Sequence, residues 1–301
     1  MEIAKVSAKE DTFSFAEAFC LFVAWTIFWS AFYVAYWIFT RGASLRDYQV
    51  YRKWFLLNLC RHVLYDVVAS ISGIVWVIAC FSTENTVQAF LSSSSRGLQV
   101  LFAMGAGHWL VCLYEEYAHY LSKRVVDWAL VVHHIISVAT FVYFLRITPL
   151  SGLGMNGMLF EIPICILEIR SFAQYTRAKW YKKKCGVNIL WAHVLALYPF
   201  ARGFGPGVWF WSFTQSGSRA IRKAIPFQGE TLIMFHVLGA TFAVVNFIVL
   251  LFYIPYYKSD LRAVKVAQKQ KYLAGVGEES LRVTASAKVA PEVEAPTAST
   301  S

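Results

Sequence analysis

The chain reads as an all-α membrane protein, a polytopic helical bundle of about seven transmembrane helices, and three observations predict it. Of its 301 residues, 57% are hydrophobic and 15% charged, where a soluble domain carries roughly 25% charged residues. Mean hydropathy is +0.49. The apolar residues also gather in runs of about 20, the length of helix that crosses a hydrocarbon core.

Seven runs qualify: residues 15–39, 55–81, 98–121, 126–145, 150–172, 188–211 and 230–254. The first has no small-residue cleavage site and reads as a retained anchor rather than a signal peptide. The second carries Arg61, His62 and Asp66 in its first half, and the third carries His108, Glu115, Glu116 and His119. The fourth holds His133 and His134 side by side, and the fifth holds Glu161 and Glu168. The sixth is interrupted by Pro199, Gly203, Gly205 and Pro206; backbone unwound at membrane depth survives only where protein or a cavity satisfies it. The seventh is clean. The third and sixth runs set the range at five to seven spans.

Three segments follow: an N-terminal segment with the first anchor (1–49), a multi-span core (50–257), and a tail (258–301) that is basic and then of low complexity. The tail mixes Pro, Ala, Glu, Ser and Thr and is expected to be disordered beyond a helical start at 261–272. No internal repeat is detectable.

Charge orients the stack. With the N-terminus lumenal, 19 of the 28 Lys and Arg residues fall in the cytosol: Arg41, Arg46, Arg52, Lys53, Lys123, Arg124, a cluster from Arg170 to Lys184, and the tail from Lys258 to Lys288. Lys5, Lys9, Arg96, Arg146, Arg219, Arg222 and Lys223 fall opposite. The C-terminus is therefore expected in the cytosol. The net charge of +10 borders membrane spans and has no interleaved aromatic reading platform, which argues against nucleic acid and for anionic lipid headgroups. Six cysteines, at 20, 60, 80, 112, 165 and 185, show no CxxC spacing and imply no disulfide framework.

His133 and His134 are the functional lead, because an imidazole in hydrocarbon is costly unless it faces a polar cavity. On the third span His108, Cys112, Glu115 and His119 are spaced four, three and four and form one stripe. His62 and Asp66, four apart, share a face, as do Glu161 and Glu168, seven apart. Arg202, beside Pro199 and Gly203, is expected to border the same chamber. Nearly all of these groups fall in the cytosolic half. A polar cavity open to the cytosol is the economical reading, with His133, His134 and Glu161 as catalytic candidates. His62, Asp66, His108, Glu115, Glu168 and Arg202 are binding candidates. His236 has no acid at helical spacing and reads as structural.

No metal is expected. A di-iron hydroxylase or desaturase needs several histidine boxes, whereas seven histidines are scattered over five spans. Glu116 and His119 make one Glu-x-x-His where such sites use two.

The block DWALVVHHIISVATFVYF at 127–144, followed by FEIPICILEIRSF at 160–172, resembles the core of the TLC-domain family of ceramide synthases and TRAM-like membrane proteins. NLCRHVLYD at 58–66 and YPFARG at 198–203 add to the likeness, which covers about residues 50–257. In ceramide synthases the paired histidines are followed by two aspartates and a glutamate, positions that here hold Glu161, Ile164 and Glu168. A Ser and a Tyr of that pattern become Val142 and Leu145. These departures, together with Glu161 near Pro163 and the closing Ile169-Arg170, resemble a non-synthase branch.

The resemblance implies a role in lipid homeostasis in the endoplasmic reticulum, although no retention peptide stands at the C-terminus. Two mechanisms follow. In one, the cavity sequesters an acyl lipid through headgroup hydrogen bonds. In the other, a ceramide-synthase-like N-acyltransferase uses acyl-CoA as co-substrate. His133 or His134 then serves as base or acyl-accepting nucleophile, with Glu161 orienting the ring. Fatty-acid elongases also pair histidines, and Met155-Asn156 echoes one of their motifs. Here Leu130 stands where they place a histidine three residues before His133, and their upstream acidic signature is missing. No tightly bound cofactor is expected, membrane lipids are the expected partners, and homo-oligomerisation is left open.

Overall fold

A computed structural model describes residues 12–40, 48–92, 95–123, 126, 128–146, 150–224 and 229–288. Among these all regular structure is helical: α1 (Phe15–Thr40), α2 (Tyr48–Phe81), α3 (Thr86–Ser92), α4 (Arg96–Lys123), α5 (Trp128–Arg146), α6 (Ser151–Leu159), α7 (Glu161–Tyr175), α8 (Lys184–Trp211), α9 (Gln215–Ala224) and α10 (Glu230–Lys288). A 3-10 turn at Trp180–Lys182 joins α7 to α8. The basic positions Lys5, Lys9, Arg41, Arg46 and Arg124 lie outside the described residues, as do 289–301.

Each of the seven apolar runs is helical, but five helices are long and apolar enough to cross a membrane: Phe15–Ile38, Lys53–Phe81, Arg96–Tyr117, Gly152–Tyr175 and Glu230–Gln270. Among the described residues five meet that measure, the lower end of the expected range of five to seven. In α5 the apolar stretch, Leu130–Leu145, is short. In α8 the length suffices, but Arg202, two prolines and several glycines dilute its apolar character. The tail departs from expectation too, since α10 runs on as helix to Lys288.

Local sequence sets the ends and breaks. Ser14 and Glu17 close a capping box at the start of α1: the Ser14 amide donates to Glu17 Oε2 at 2.8 Å and the Glu17 amide to Ser14 Oγ at 3.3 Å. Ser95 caps α4 by accepting from the Leu98 amide at 3.2 Å. The fifth run is one span made of two helical segments, α6 and α7, that meet at Phe160. Pro163 has no N–H for the Leu159 carbonyl, and the chain steps at Phe160 through a 3-10 bond from its amide to Gly157 O at 3.2 Å. That step puts Glu161 at the start of α7, where a helix favours negative charge.

In α8 the helix continues through Pro206, which deprives the Arg202 carbonyl of its usual partner four residues on. Asn246 of α10 replaces it, its Nδ2 donating to Arg202 O at 2.8 Å, while Tyr198 OH donates to Asn246 O. A polar pair from two helices thus repairs a backbone defect in an apolar setting.

α3 packs on α6 and α9, and the 3-10 turn packs on α8 and α10. Since α3 follows α2 and α9 follows α8, those two helices end on the same side of the bundle, opposite the end of α7. α1 lies tight against α4: a Cβ at Gly107 would come within 2.8 Å of the Thr26 amide nitrogen. Trp29 Nε1 donates to Met104 O at 3.2 Å across the same seam. The main core lies among α1, α2, α4, α5 and α6 around Trp29, Tyr65, Phe102 and Phe144. A second core joins α7, α8 and α10 around Tyr181, Trp191, Tyr198 and Tyr253. Large apolar side chains such as Ile27, Trp37, Ile71, Ile78 and Phe247 are exposed on the outside, a surface suited to lipid rather than water.

Asp260 anchors the far half of α10. Its carboxylate accepts from Arg170 Nε at 2.7 Å and Nη2 at 2.8 Å, from Gln174 Nε2 at 3.1 Å and from Trp191 Nε1 at 2.9 Å. We predict that Asp260→Ala destabilises the protein by about 3 kcal/mol, because it leaves a paired, largely buried cation without its anion. Trypsin should then cut faster at Lys265 and Lys269. Unchanged cleavage and an unchanged thermal midpoint in detergent would refute the anchor.

Candidate functional site

The nine candidate residues come from α2, α4, α5, α7 and α8, and the fold joins them in one connected network. It has two parts.

The first part is centred on Arg61, which is 0% exposed. Its Nη1 donates to His108 Nδ1 at 3.0 Å, and its Nη2 lies 3.2 Å from His62 Nε2, 3.4 Å from Cys112 Sγ and in an ion pair with Glu115. His62 Nε2 also lies 2.8 Å from Glu115 Oε2. The four-three spacing of His108, Cys112 and Glu115 brings all three to the face of α4 that meets α2, so the stripe read in the sequence addresses Arg61. The side chain of His119, at its end, lies outside the described residues. Tyr65 stacks on His108 with centroids 3.7 Å apart.

The second part holds His133 and His134 of α5. Both rings meet the indole of Trp109, His134 stacked and His133 edge-on, each with centroids 5.2 Å away. Adjacent helical positions diverge by about 100°, yet the breadth of the indole lets one side chain contact both. Glu161 is not hydrogen-bonded to either imidazole. Its carboxyl lies against Asp66 and within electrostatic range of Arg202 and Glu168, which corrects the expected carboxylate–imidazole pairing. α7, which carries Glu161, packs on α2 and α8. Arg202 donates from Nη1 to Asn246 Oδ1 at 3.2 Å, stands over the Phe160 ring, and is within electrostatic range of His133. Glu168, half-buried, is in range of Arg61, His62 and Glu115.

Buried polar atoms without a protein partner include His134 Nδ1, Asp66 Oδ2, Arg202 Nε and both amide atoms of Asn156 here, and Arg61 Nε and His108 Nε2 in the first part. Asn156 is wedged against Gly205 of α8, where a Cβ would fall 1.9 Å from its Nδ2. Each such atom costs roughly 1–3 kcal/mol unless it finds a polar partner. The shallow groove along α8 from Pro199 to Trp211 is lined by none of these residues. His193 is exposed and bonds its own helix at Ile189 O, 2.7 Å away, outside the network. His236 sits between the rings of Phe213 and Phe235.

The sequence reading missed Arg61, Trp109 and Asn156 as site residues. An arginine inside an apolar run was the available signal for the first. Trp109 follows His108 directly and carried no signal of its own, and Asn156 stood out only as a polar residue in the fifth run and as part of the Met155-Asn156 echo of an elongase motif.

No protein-family model matches the chain, and neither a curated protein nor a solved structure matches it.

The Arg61–Glu115 pair is buried, so removing one partner should cost far more than replacing both. We expect Glu115→Leu to lose about 3–5 kcal/mol of stability and the double variant Arg61→Met/Glu115→Leu to recover most of it. Chemical denaturation in detergent reads the difference, and additive losses would rule out direct coupling.

Proposed function

We propose that this chain is a multi-pass membrane protein of lipid homeostasis, with about seven spans and a TLC-like core, whose intramembrane site binds or processes an acyl lipid. The observation that carries this reading is the group of buried, unpartnered polar atoms around His133, His134, Asp66, Arg202 and Asn156, enclosed by helices whose outer faces suit lipid. Such atoms call for a polar ligand, and a ligand reaching them between apolar helices is itself amphipathic. The imidazoles, Asn156 and Arg202 would hydrogen-bond the headgroup while the acyl chain stays among the apolar side chains. The charge bias supports a lumenal N-terminus and a cytosolic C-terminus, with the basic ends facing anionic headgroups; the endoplasmic reticulum membrane is proposed on the resemblance alone.

Sequestration is favoured over transfer because neither imidazole has a carboxylate hydrogen bond among the described residues. A nucleophile or base normally relies on a third group to orient it. The acyltransferase reading retains one specific support, the free Nδ1 of buried His134. In that reaction the acyl group leaves the thioester of acyl-CoA for an amine acceptor, a C–N bond replaces the C–S bond, and the amine proton passes through the imidazole to the departing thiolate.

Mass spectrometry of lipids co-purified with the full chain should find one acyl-lipid class enriched over the surrounding membrane. His133→Ala/His134→Ala should lose that enrichment at least about 10-fold, the equivalent of one 1.4 kcal/mol interaction. Absence of any enriched lipid from the wild type would defeat the proposal. Labelled product from labelled acyl-CoA, abolished in the same variant, would replace sequestration with transfer.

A further inference from the structure

We infer that His62, His108, Cys112 and Glu115 form a cation cage with the donor chemistry of a zinc site, in which the Arg61 guanidinium takes the place of the metal. The inference is independent of the lipid function proposed above.

Three observations carry it. The His62, His108 and Cys112 ligand atoms all lie within 4.8 Å of one another, and Glu115 Oε2 is 2.8 Å from His62 Nε2. Two imidazoles, a thiol and a carboxylate are the ligand types that bind Zn2+ tetrahedrally at about 2.0–2.3 Å. All four groups are turned toward one guanidinium, at 3.0 Å from His108, 3.2 Å from His62, 3.4 Å from Cys112 and in an ion pair with Glu115.

The second observation is charge. Arginine keeps its proton in proteins, so Arg61 with one carboxylate and a neutral thiol sums to zero. Zn2+ with that carboxylate, a thiolate and two neutral imidazoles also sums to zero, the thiol proton passing to solvent on binding. Guanidinium and metal together would leave a net positive charge in a buried site, so they exclude each other.

Third, the fit of the guanidinium is imperfect. His62 Nε2 faces both Arg61 Nη2 and Glu115 Oε2 and cannot accept from one while donating to the other. His108 accepts at Nδ1, which leaves its proton on Nε2, an atom buried without a partner. A metal bound through a neutral His62 ring would remove the first conflict.

The test uses the full chain in detergent, stripped of metal and titrated with Co2+ as a probe. In Arg61→Ala the cage should take one equivalent, giving the visible absorption of a tetrahedral site and a thiolate-to-cobalt charge-transfer band. Zn2+ should raise the thermal midpoint of the same variant. The charge-transfer band should vanish in Arg61→Ala/Cys112→Ser, and the wild type should show neither band nor shift. If Arg61→Ala does not yield monodisperse protein, Arg61→Ala/Glu115→Gln, whose buried charges are balanced, takes the same titration on the three remaining donors. Absence of the thiolate band from whichever variant folds overturns the inference, as does a wild type that binds Co2+ as tightly as the variant.

Discussion

A guanidinium cannot shed its charge, and between apolar helices it must bring its own solvation. Arg61 obtains it from two imidazoles, a thiol and a carboxylate, and this requirement fixes more of the structure than any apolar contact. It sets the rotation of α2 against α4, because His108, Cys112 and Glu115 must all face it. It holds His62 back toward Glu115. Through the stack of Tyr65 on His108 and the adjacent Trp109, it also determines where the wall that supports His133 and His134 stands.

The same accounting applies to the backbone. Hydrocarbon offers no hydrogen bonds, so each proline inside a helix creates a debt that a neighbouring group has to settle. At Pro206 it is settled by Asn246, which ties α8 to α10 and leaves Arg202 positioned over Phe160. At Pro163 the helix instead takes a 3-10 bond at Phe160, from its amide to Gly157 O, and α7 goes on against α2 and α8, with Glu161 beside Asp66 and near Arg202.

The helices were legible in the sequence because length and apolar continuity are properties of a single segment. All seven runs are helical, and residues spaced three or four apart do share faces. What was not legible depends on a partner from another segment. The His108–Cys112–Glu115 stripe could be drawn, but nothing within α4 says that it faces Arg61 rather than His133. Glu161 was assigned to the imidazoles by its distance along the chain, whereas its neighbours are set by the packing of α7 on α2 and α8. Asp260 fell in a tail expected to lack structure, because its four hydrogen bonds come from α7 and α8. The short helix α9 escaped notice because it is polar except at Ile221 and a few small residues.

The two parts of the polar network differ in degree of pairing. Around Arg61 both terminal nitrogens are engaged, with His108, His62, Cys112 and Glu115, although Arg61 Nε and His108 Nε2 are buried without partners; such a cluster ties α2 to α4. Around His134, Asp66, Arg202 and Asn156 more of the buried polar atoms lack a protein partner. Folding alone gives no reason to bury polar groups and leave them unpaired, since apolar residues of similar size would be less costly. Their persistence is what supports the proposed ligand site, and a ligand completing it would have to offer both donors and acceptors, because Asn156 and Arg202 present donors while Asp66 and the Asn156 carbonyl present acceptors.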